Sequence, residues 1–301
     1  MVKDFQTYIN EGLFDRNQSE FSIRKTDKGI EQIYIPKTKE ELYSYIDIDI
    51  EQAKKDGTYP NVNLNNIDVS ELGDDVLKNL FSDDIYMINP DISDWNIKSI
   101  PNSFFDHNKK IEEFIIPDSV TSIGGWAFYQ CSGLTSITIG NSVTIIKETA
   151  FYYCSSLTSV VWNAKNCADF SSGGYTPFCD VNSQITSFTF GSEVEHIPAH
   201  LCYGMENLTS VTIPNSVTSI GEEAFVECNE LTSVIIPNGV TRLEDGTFTF
   251  CSSLKSVTIP SSVTSIGKYA FWGCDLKDVT ISKHCSIKSN SFLENCKIII
   301  K

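Results

Sequence analysis

The chain repeats one pattern of apolar and polar positions with a period of 23 residues. The segments that begin at Pro214, Pro237 and Pro260 carry Val-Thr, Phe, Cys and Leu at matching offsets, and the pattern recurs from Pro117 and Gly140. Periods of about 20 to 50 residues are typical of solenoids, in which no repeat encloses an apolar interior by itself. The sequence therefore predicts repeats that stack and bury their apolar sides against one another.

Each repeat predicts two short strands and one tight turn. Leu134-Thr-Ser-Ile-Thr-Ile139 alternates apolar and polar residues, as a half-buried strand does, and Val120-Thr-Ser-Ile123 predicts a second extended piece. Pro or Gly follows the first strand, and Pro cannot donate to a strand ladder. The spacing of Phe128 and Cys131 predicts a single helical or 3₁₀ turn. We expect equivalent strands of successive repeats to pair in parallel, about 4.8 Å apart.

The same pattern divides the chain into two regions. Residues 61–301 form the repeat array of about nine or ten coils, with an insertion in 163–190 and a short coil at 282–301. Residues 1–60 lack the repeat. Thr38 and Glu41 have the spacing of a capping box before helically spaced apolar residues, and Gly57 fits the position after a helix. We therefore expect an N-terminal helical cap over the first coil, since an open strand edge invites association.

Two segments carry a family resemblance. Pro214-Asn-Ser-Val-Thr-Ser-Ile-Gly-Glu-Glu-Ala-Phe-Val-Glu-Cys-Asn-Glu-Leu-Thr-Ser-Val-Ile-Ile236 resembles the repeat of BspA-type leucine-rich repeat proteins. Asp91-Ile-Ser-Asp-Trp-Asn-Ile-Lys-Ser-Ile100 is similar to related repeats of bacterial surface lipoproteins. The resemblance implies an α/β solenoid, a right-handed leucine-rich superhelix with parallel strands. It also implies a role in adhesion on the surface of bacteria or anaerobic protists.

The charge and the apolar content of the chain exclude some classes of binding partner. A net charge of −16 and a pI near 4.6 argue against nucleic acid and against an anionic membrane surface. The sequence has no apolar run close to 18 residues, so we expect no membrane insertion. Residues 1–10 lack the apolar core of a secretory signal peptide. Localisation therefore stays open between the cell surface, which the resemblance implies, and the cell interior.

The sequence contains few signs of catalysis or of a cofactor. It has no Gly-x-Gly-x-x-Gly motif, no phosphate-binding loop and no Gly-x-Ser-x-Gly elbow. His196 and His200 are four residues apart, but Pro198 lies between them and the metalloprotease pattern of His-Glu-x-x-His is missing. We expect neither an enzyme nor a metal or cofactor site.

The cysteines recur once per coil. Cys131, Cys154, Cys228, Cys251 and Cys274 share one offset, whereas zinc sites usually use closely spaced pairs. We interpret them as small buried packing groups. Cys167 and Cys179 belong to the inserted coil, and a disulfide between these two stays an alternative.

The outward positions of the first strand form a column of hydroxyl groups. Alternation along each strand directs these side chains away from the interior. The candidate binding residues among them are Ser136, Thr138, Ser159, Thr189, Ser210, Thr212, Ser256 and Thr258. The alternative is that Ser and Thr occur there because they suit a pleated strand.

Aromatic residues supply a second set of candidates. Tyr152, Tyr153 and Trp272 lie next to the repeat Phe, and Tyr175 and Phe178 belong to the insertion. Tyr and Trp are frequent in the energetically important centres of interfaces, but they also pack between coils. The sequence thus predicts non-catalytic binding of a protein or glycan, most plainly in adhesion. A scaffold inside the cell or in a particle is the alternative, and the oligomeric state stays open.

Overall fold

The computed structural model describes the backbone of residues 21–26 and 29–34 and, with side chains, residues 97–171 and 176–301. From residue 97 onward the chain winds into a parallel-strand solenoid, which has about nine turns in all. A regular turn of the solenoid, here called a coil, contains two short strands and a segment of tight turns. This is the stacked architecture that the 23-residue period predicts.

The first strands of successive coils pair in parallel along one side of the solenoid. Ser136 pairs with Ser159, and Ser159 pairs with Ser187, so equivalent repeat positions lie side by side. The strands on this side are β4 (Glu113–Ile115), β6 (Ser136–Ile139), β8 (Ser159–Trp162), β9 (Ser187–Phe190), β12 (Ser233–Ile235), β14 (Ser256–Thr258), β16 (Asp278–Ile281) and β18 (Lys297–Ile300).

The second strands line another side and have only two residues each. Ile123 pairs with Ile100 and with Ile146, and all three are buried. The strands here are β3 (Ser99–Ile100), β5 (Ser122–Ile123), β7 (Ile145–Ile146), β10 (His196–Ile197), β11 (Ser219–Ile220), β13 (Arg242–Leu243), β15 (Ser265–Ile266) and β17 (Ser286–Ile287). A 3₁₀ helix, Asn182–Gln184, lies in the coil that contains the insertion.

The repeat Leu and Phe positions form the continuous interior. Leu134, Leu157, Leu231 and Leu254 are fully buried in equivalent places, as the periodicity predicts. The Phe rings stack from coil to coil with nearly parallel planes. The ring centroids of Phe225 and Phe248 are 5.1 Å apart, and those of Phe248 and Phe271 are 5.4 Å apart. Each ring therefore completes the interior of its neighbours.

The segment predicted as a single helical turn is a pair of tight turns that joins neighbouring coils. Within the coil, Tyr129 N–H donates to Trp126 C=O and Cys131 N–H donates to Phe128 C=O. The N–H of Phe128 instead donates to Ala150 C=O of the next coil, at 2.8 Å. Trp126 and Gln130 have positive φ values, which closes the two turns. Backbone hydrogen bonding thus alternates between the coil and its neighbour.

Thr side chains form a second set of bonds between coils. Thr121 Oγ1 donates to Lys98 C=O at 2.9 Å, and Thr144 Oγ1 donates to Thr121 C=O at 3.2 Å. On the first-strand side, Thr135 Oγ1 donates to Glu112 C=O at 2.9 Å. At these positions, the Thr directly before the strand therefore binds the backbone of the preceding coil.

The cysteine column has a structural explanation. Cys154 is fully buried, and its thiol donates to Phe128 C=O of the preceding coil at 3.0 Å. Cys251 makes the same bond to Phe225 C=O at 3.1 Å. Burial raises the pKa of Cys154 to about 12, so the thiol stays protonated at neutral pH. The column packs and donates hydrogen bonds, as the interpretation of small buried groups expects.

The N-terminal region differs from the sequence prediction where it is described. Strands β1 (Phe21–Thr26) and β2 (Gly29–Tyr34) pair antiparallel, with Phe21 opposite Tyr34. The helix predicted from Thr38 to Gly57 lies outside the described residues. The expected helical cap over residues 1–60 is therefore unsupported, because the described part of this region is an antiparallel hairpin.

Candidate binding surfaces

The strand face consists of the outward side chains of the first strands. These positions are exposed or half-buried, and from Ser136 to Thr258 none of them is charged. Its members in that stretch are Ser136, Thr138, Ser159, Val161, Ser187, Thr189, Ser210, Thr212, Ser233, Ile235, Ser256 and Thr258. The side-chain alternation thus places every strand-face candidate predicted from the sequence toward solvent.

Two properties distinguish the strand face from the Thr positions that bind neighbouring coils. In the described part of the chain, the Ser136, Thr138 and Ser159 hydroxyls have no intramolecular hydrogen bond, so they are available to another molecule. Ile115 and Ile235, at positions equivalent to Thr138, are each 69% exposed. The face therefore combines free hydroxyl groups with exposed branched apolar groups.

The strand face is interrupted once. Among the described residues, no strand is assigned to 208–213, between β9 and β12. Ser210 and Thr212 are exposed there, but they lie in this irregular segment rather than in a paired strand. The candidates consequently form two regular groups, one before and one after this segment.

The turn face consists of the two residues that follow the Phe position in each coil from Phe105 to Phe271. Cys202 stands at this position in one coil, because its C=O accepts the thiol bond of Cys228 as Phe128 C=O accepts that of Cys154. Equivalent positions lie in neighbouring coils, and none of them is Lys or Arg. The members are Asp106, His107, Tyr129, Gln130, Tyr152, Tyr153, Cys179, Asp180, Tyr203, Gly204, Val226, Glu227, Thr249, Phe250, Trp272 and Gly273. Aromatic and acidic residues dominate this face.

Tyr129, Tyr152 and Tyr153 form an aromatic cluster on the turn face. The ring centroids of Tyr152 and Tyr153 are 4.3 Å apart, and those of Tyr129 and Tyr153 are 5.8 Å apart. A hydrogen bond with Tyr153 is the main cause that raises the pKa of Tyr152 to about 12, and the Asp180 carboxylate contributes. Tyr153 is 44% exposed, so the cluster presents ring surface to solvent.

The other aromatic candidates differ in how far the structure exposes them. Trp272 is half-buried and its ring centroid lies 6.1 Å from that of exposed Tyr269. Phe178 was expected to be a contact residue in the insertion, and this is wrong. Its ring is 0% exposed and stacks on Phe151 at 5.0 Å, because it occupies the repeat Phe position. Tyr175 lies outside the described residues.

The insertion coil is joined to the following coil by polar contacts. Asp169 Oδ1 accepts hydrogen bonds from Ala199 N–H at 2.7 Å and, across 2.9 Å, contacts His196 Nε2. Glu195 contacts Lys165 at 3.0 Å, and hydrogen bonds from Asn166 and Lys165 lower the pKa of Glu195. These contacts hold the irregular coil in the stack.

The two histidines singled out by spacing have separate partners. His196 contacts Ser219 and Asp169, whereas buried His200 contacts Glu223 at 3.3 Å. Across the described residues, no group of three or more His, Cys, Asp or Glu side chains is placed to hold a metal ion. Cys167 and Cys179 are free thiols in the structure, and burial raises the pKa of Cys167 to about 12.

A shallow groove of about 600 Å³ lies at the coil before the insertion. Trp126, which is 53% exposed, and Ile145 provide apolar surface, while Lys147, Glu148 and Asp169 provide charge. Glu148 accepts a hydrogen bond from the Ser171 hydroxyl. Sequence patterns did not reveal this groove, because it arises where the inserted coil departs from the regular stack.

The chain belongs to the BspA-type leucine-rich repeat family. The family model, described as a BspA type leucine-rich repeat region, matches six copies over residues 54–172 and 175–299. This confirms the family that the repeat motif indicates. The comparison with curated proteins gives no match. In the described part of the chain, we find no helix with the length and apolar character needed to cross a membrane.

Several solved bacterial leucine-rich repeat proteins are similar to this chain. One, from T. pallidum, is 26% identical over 60% of this chain and 71% of its own, with a TM-score of 0.39. Another, from Bacteroides ovatus, is 18% identical over 96% of this chain and 99% of its own, with a TM-score of 0.39. A leucine-rich cell surface protein from Faecalibacterium prausnitzii is 22% identical over 68% and 83%, with a TM-score of 0.30.

Proposed function

We propose that this chain is a non-catalytic binding protein whose repeat surface attaches to a protein or glycan on another surface. Membership of a leucine-rich repeat family is consistent with protein binding. The observation that carries the proposal is the strand face, with solvent-facing hydroxyls that have no partner among the described residues and an uncharged stretch from Ser136 to Thr258.

The chemistry of the strand face suits binding better than catalysis. Hydroxyl groups both donate and accept hydrogen bonds, and exposed Ile115 and Ile235 offer apolar contact. From Ser136 to Thr258 the strand face carries no carboxylate, the group that most often serves general acid–base chemistry together with His. The turn-face aromatics Tyr152, Tyr153 and Trp272 add anchors of the kind common in interfaces.

Repetition supplies the affinity in this proposal. A single coil offers only a few weak contacts, whereas equivalent contacts on several coils act at high effective concentration once the first has formed. A long partner, such as an extended protein surface or a glycan chain, gains most from this arrangement. Adhesion is the use that such binding serves best.

The test is a binding screen of the purified chain against extracellular-matrix proteins and glycan arrays. Positive hits are then repeated with Thr138→Lys and Thr258→Lys, which place bulky charges on the strand face. We expect both variants to bind at least tenfold more weakly, since they desolvate an unpaired charge at the contact. Asn238→Lys is the matched control, because this exposed residue follows the strand and lies off the face.

The localisation of the native protein provides a second check. Adhesion requires exposure of the chain on the cell surface, measured by labelling intact cells with an impermeant reagent. Protein found only inside the cell would contradict adhesion and favour the scaffold alternative. Hits that bind the strand-face variants as well as the original chain would contradict the proposed surface.

A further inference from the structure

The turn face brings a carboxylate beside an exposed ring in neighbouring coils. Phe151 stacks on Phe178 at 5.0 Å, and Phe151 N–H donates to Pro177 C=O at 3.1 Å. This register places Asp180 one coil after Tyr153. Asp180 is exposed, and the described structure shows no ion pair or hydrogen bond for its carboxylate.

The same combination recurs farther along this face in the reverse order. Phe225 stacks on Phe248 at 5.1 Å, which places Glu227 one coil before Phe250. Phe250 is 49% exposed. One column of the turn face therefore reads, coil by coil, Tyr153, Asp180, Gly204, Glu227 and Phe250. It has a ring at each end and two carboxylates between them.

The dimensions of this column match an extended peptide. Four steps of about 4.8 Å between neighbouring coils give a length of about 19 Å. A peptide strand rises about 3.3 Å per residue, so roughly six residues cover the column. Gly204 at the centre is buried beside the Asn182 side chain, so no side chain projects from the middle of the column toward a partner.

The aromatic side chains occupy backbone positions that favour glycine. Tyr153 and Phe250 have φ values of 60° and 59°, and the equivalent residues of other coils include Gly204 and Gly273. Glycine adopts this left-handed conformation without steric cost, whereas residues with a Cβ do not. Gly would therefore carry no backbone cost at either position, and the exposed ring faces of Tyr153 and Phe250 are available to another molecule.

We propose that this column of the turn face binds an extended, basic segment of a partner protein, through cation–π contacts of its Lys and Arg side chains with Tyr153 and Phe250. Aromatic faces attract ammonium and guanidinium groups, and Asp180 and Glu227 add opposite charge. The turn face has no Lys or Arg to oppose such a partner. This inference rests on the proposed binding function and names the partner chemistry at its second surface.

The test is a titration of the whole chain with a fluorescent decalysine peptide, followed by anisotropy. The same peptide with acetylated lysines is the uncharged control. We expect Tyr153→Gly and Phe250→Gly each to weaken binding about two- to fivefold, the range of an exposed cation–π contact. Because both positions favour Gly and both rings are partly exposed, each variant should lower the melting temperature by only a few degrees and stay folded during the titration.

Matched controls separate the ring and the local charge from the overall charge of −16. Tyr153→Phe keeps the aromatic face and should bind as the original chain does. Asp180→Asn should weaken binding about two- to threefold, by loss of one nearby charge. Glu193→Gln removes an equal charge from an exposed residue off the turn face, and it should have less effect.

Several results would overturn the proposal. These are no binding of decalysine, equal binding of the acetylated peptide, no effect of both glycine variants, or equal effects of Asp180→Asn and Glu193→Gln. The last would show attraction to net charge alone. Thr138→Lys should leave peptide binding intact, so failure of the strand-face proposal and failure of this one are told apart.

Discussion

The regular coils after Pro214 and the irregular coils just before them fill the same interior with different elements. In the regular coils, the turn supplies the large ring, and Phe225, Phe248 and Phe271 stack with planes within 7° of parallel. In the preceding coil, Cys202 occupies the Phe position. Its C=O accepts a hydrogen bond from the Cys228 thiol, just as Phe225 C=O accepts one from Cys251. The stack of turn rings is therefore broken at Cys202.

The strand supplies the missing volume in the irregular region. Strand β9 carries Phe188 and Phe190 where regular strands carry smaller side chains, and their ring centroids are 5.0 Å apart. Phe188 contacts Phe178 edge-on at 6.5 Å, and Phe190 contacts Phe225 at 6.4 Å. The two rings thus bridge the break. The comparison teaches that the fold conserves interior volume rather than the identity of each motif position.

The largest expected effect comes from the regular stack. Phe248→Ala should reduce the free energy of unfolding by about 3–5 kcal/mol, because a fully buried ring leaves a cavity between two others. Urea unfolding measures the loss. Phe250→Ala is the control, two residues away but exposed, and should cost under about 1 kcal/mol. Equal losses would mean that the stack does not stabilise the regular coils.

The next largest expected loss of stability comes from adding a Cβ where the backbones of two coils lie close together. A Cβ at Gly133 would lie 2.3 Å from Lys109 O in the preceding coil, so Gly133→Ala forces the backbones apart. We expect a loss of about 1–3 kcal/mol, as for overpacking. At Gly125 the nearest atom to a Cβ is 3.5 Å away, which is ordinary contact, and Gly125→Ala should be nearly neutral. Thermal unfolding of the two variants decides the matter.

The cysteine column predicts a pH dependence. Burial raises the pKa of Cys154 to about 12, whereas a thiol in the unfolded chain ionises near its usual pKa of about 8.5. Above about pH 9 the folded state retains a proton that the unfolded state has lost, so stability falls as the pH rises. Cys154→Ala should lessen this fall by about 1.4 kcal/mol per pH unit.

Urea unfolding at pH 8, 9 and 10 with a reductant present measures that slope. The comparison of slopes removes the constant cost of the small cavity in Cys154→Ala. An unchanged slope would show that the thiol is not protected in the folded chain.

The smallest expected change in stability distinguishes a Thr that bonds the preceding coil from a Thr on the strand face. Thr144→Val removes the 3.2 Å hydrogen bond to Thr121 C=O and should cost about 1 kcal/mol. Thr138→Val should cost almost nothing, because the Thr138 hydroxyl has no partner in the described structure and Val161 occupies the equivalent position in the next coil. Denaturation midpoints check both, and a reversed order would mean that the Thr bonds between coils add no stability.

Periodicity alone predicted the stacked array, the buried Leu column and the outward direction of Ser136 and Thr138. It missed the bonds of Thr121 and Thr144 to the preceding coil, since a hydrogen bond depends on register as well as on residue type. The recurrence of Thr directly after the repeat Val was the available signal. It also treated Phe178 as an exposed contact, although Phe178 and Val181 have the spacing of a repeat Phe and Cys.

The parts that escaped prediction depend on contacts between coils. The turn face emerges only when equivalent positions are aligned across the insertion, because Asp180 and Tyr153 are not a whole period apart in the sequence. Cys202 stands where the regular coils have Phe. The sequence alone does not explain this difference, because only the structure shows that Phe188 and Phe190 fill the volume of the missing ring. The hairpin at Phe21–Thr26 and Gly29–Tyr34 was missed because helix signals elsewhere in residues 1–60 determined the prediction.

The most direct test of a continuous, volume-conserving interior is a double-mutant cycle between residues 202 and 190. Cys202→Phe restores the repeat motif, yet we expect it to lower the free energy of unfolding by about 1–3 kcal/mol, since Phe188 and Phe190 already fill the break. Adding Phe190→Val should recover part of that loss. Stabilisation by Cys202→Phe alone, or strictly additive losses in the double variant, would contradict the account.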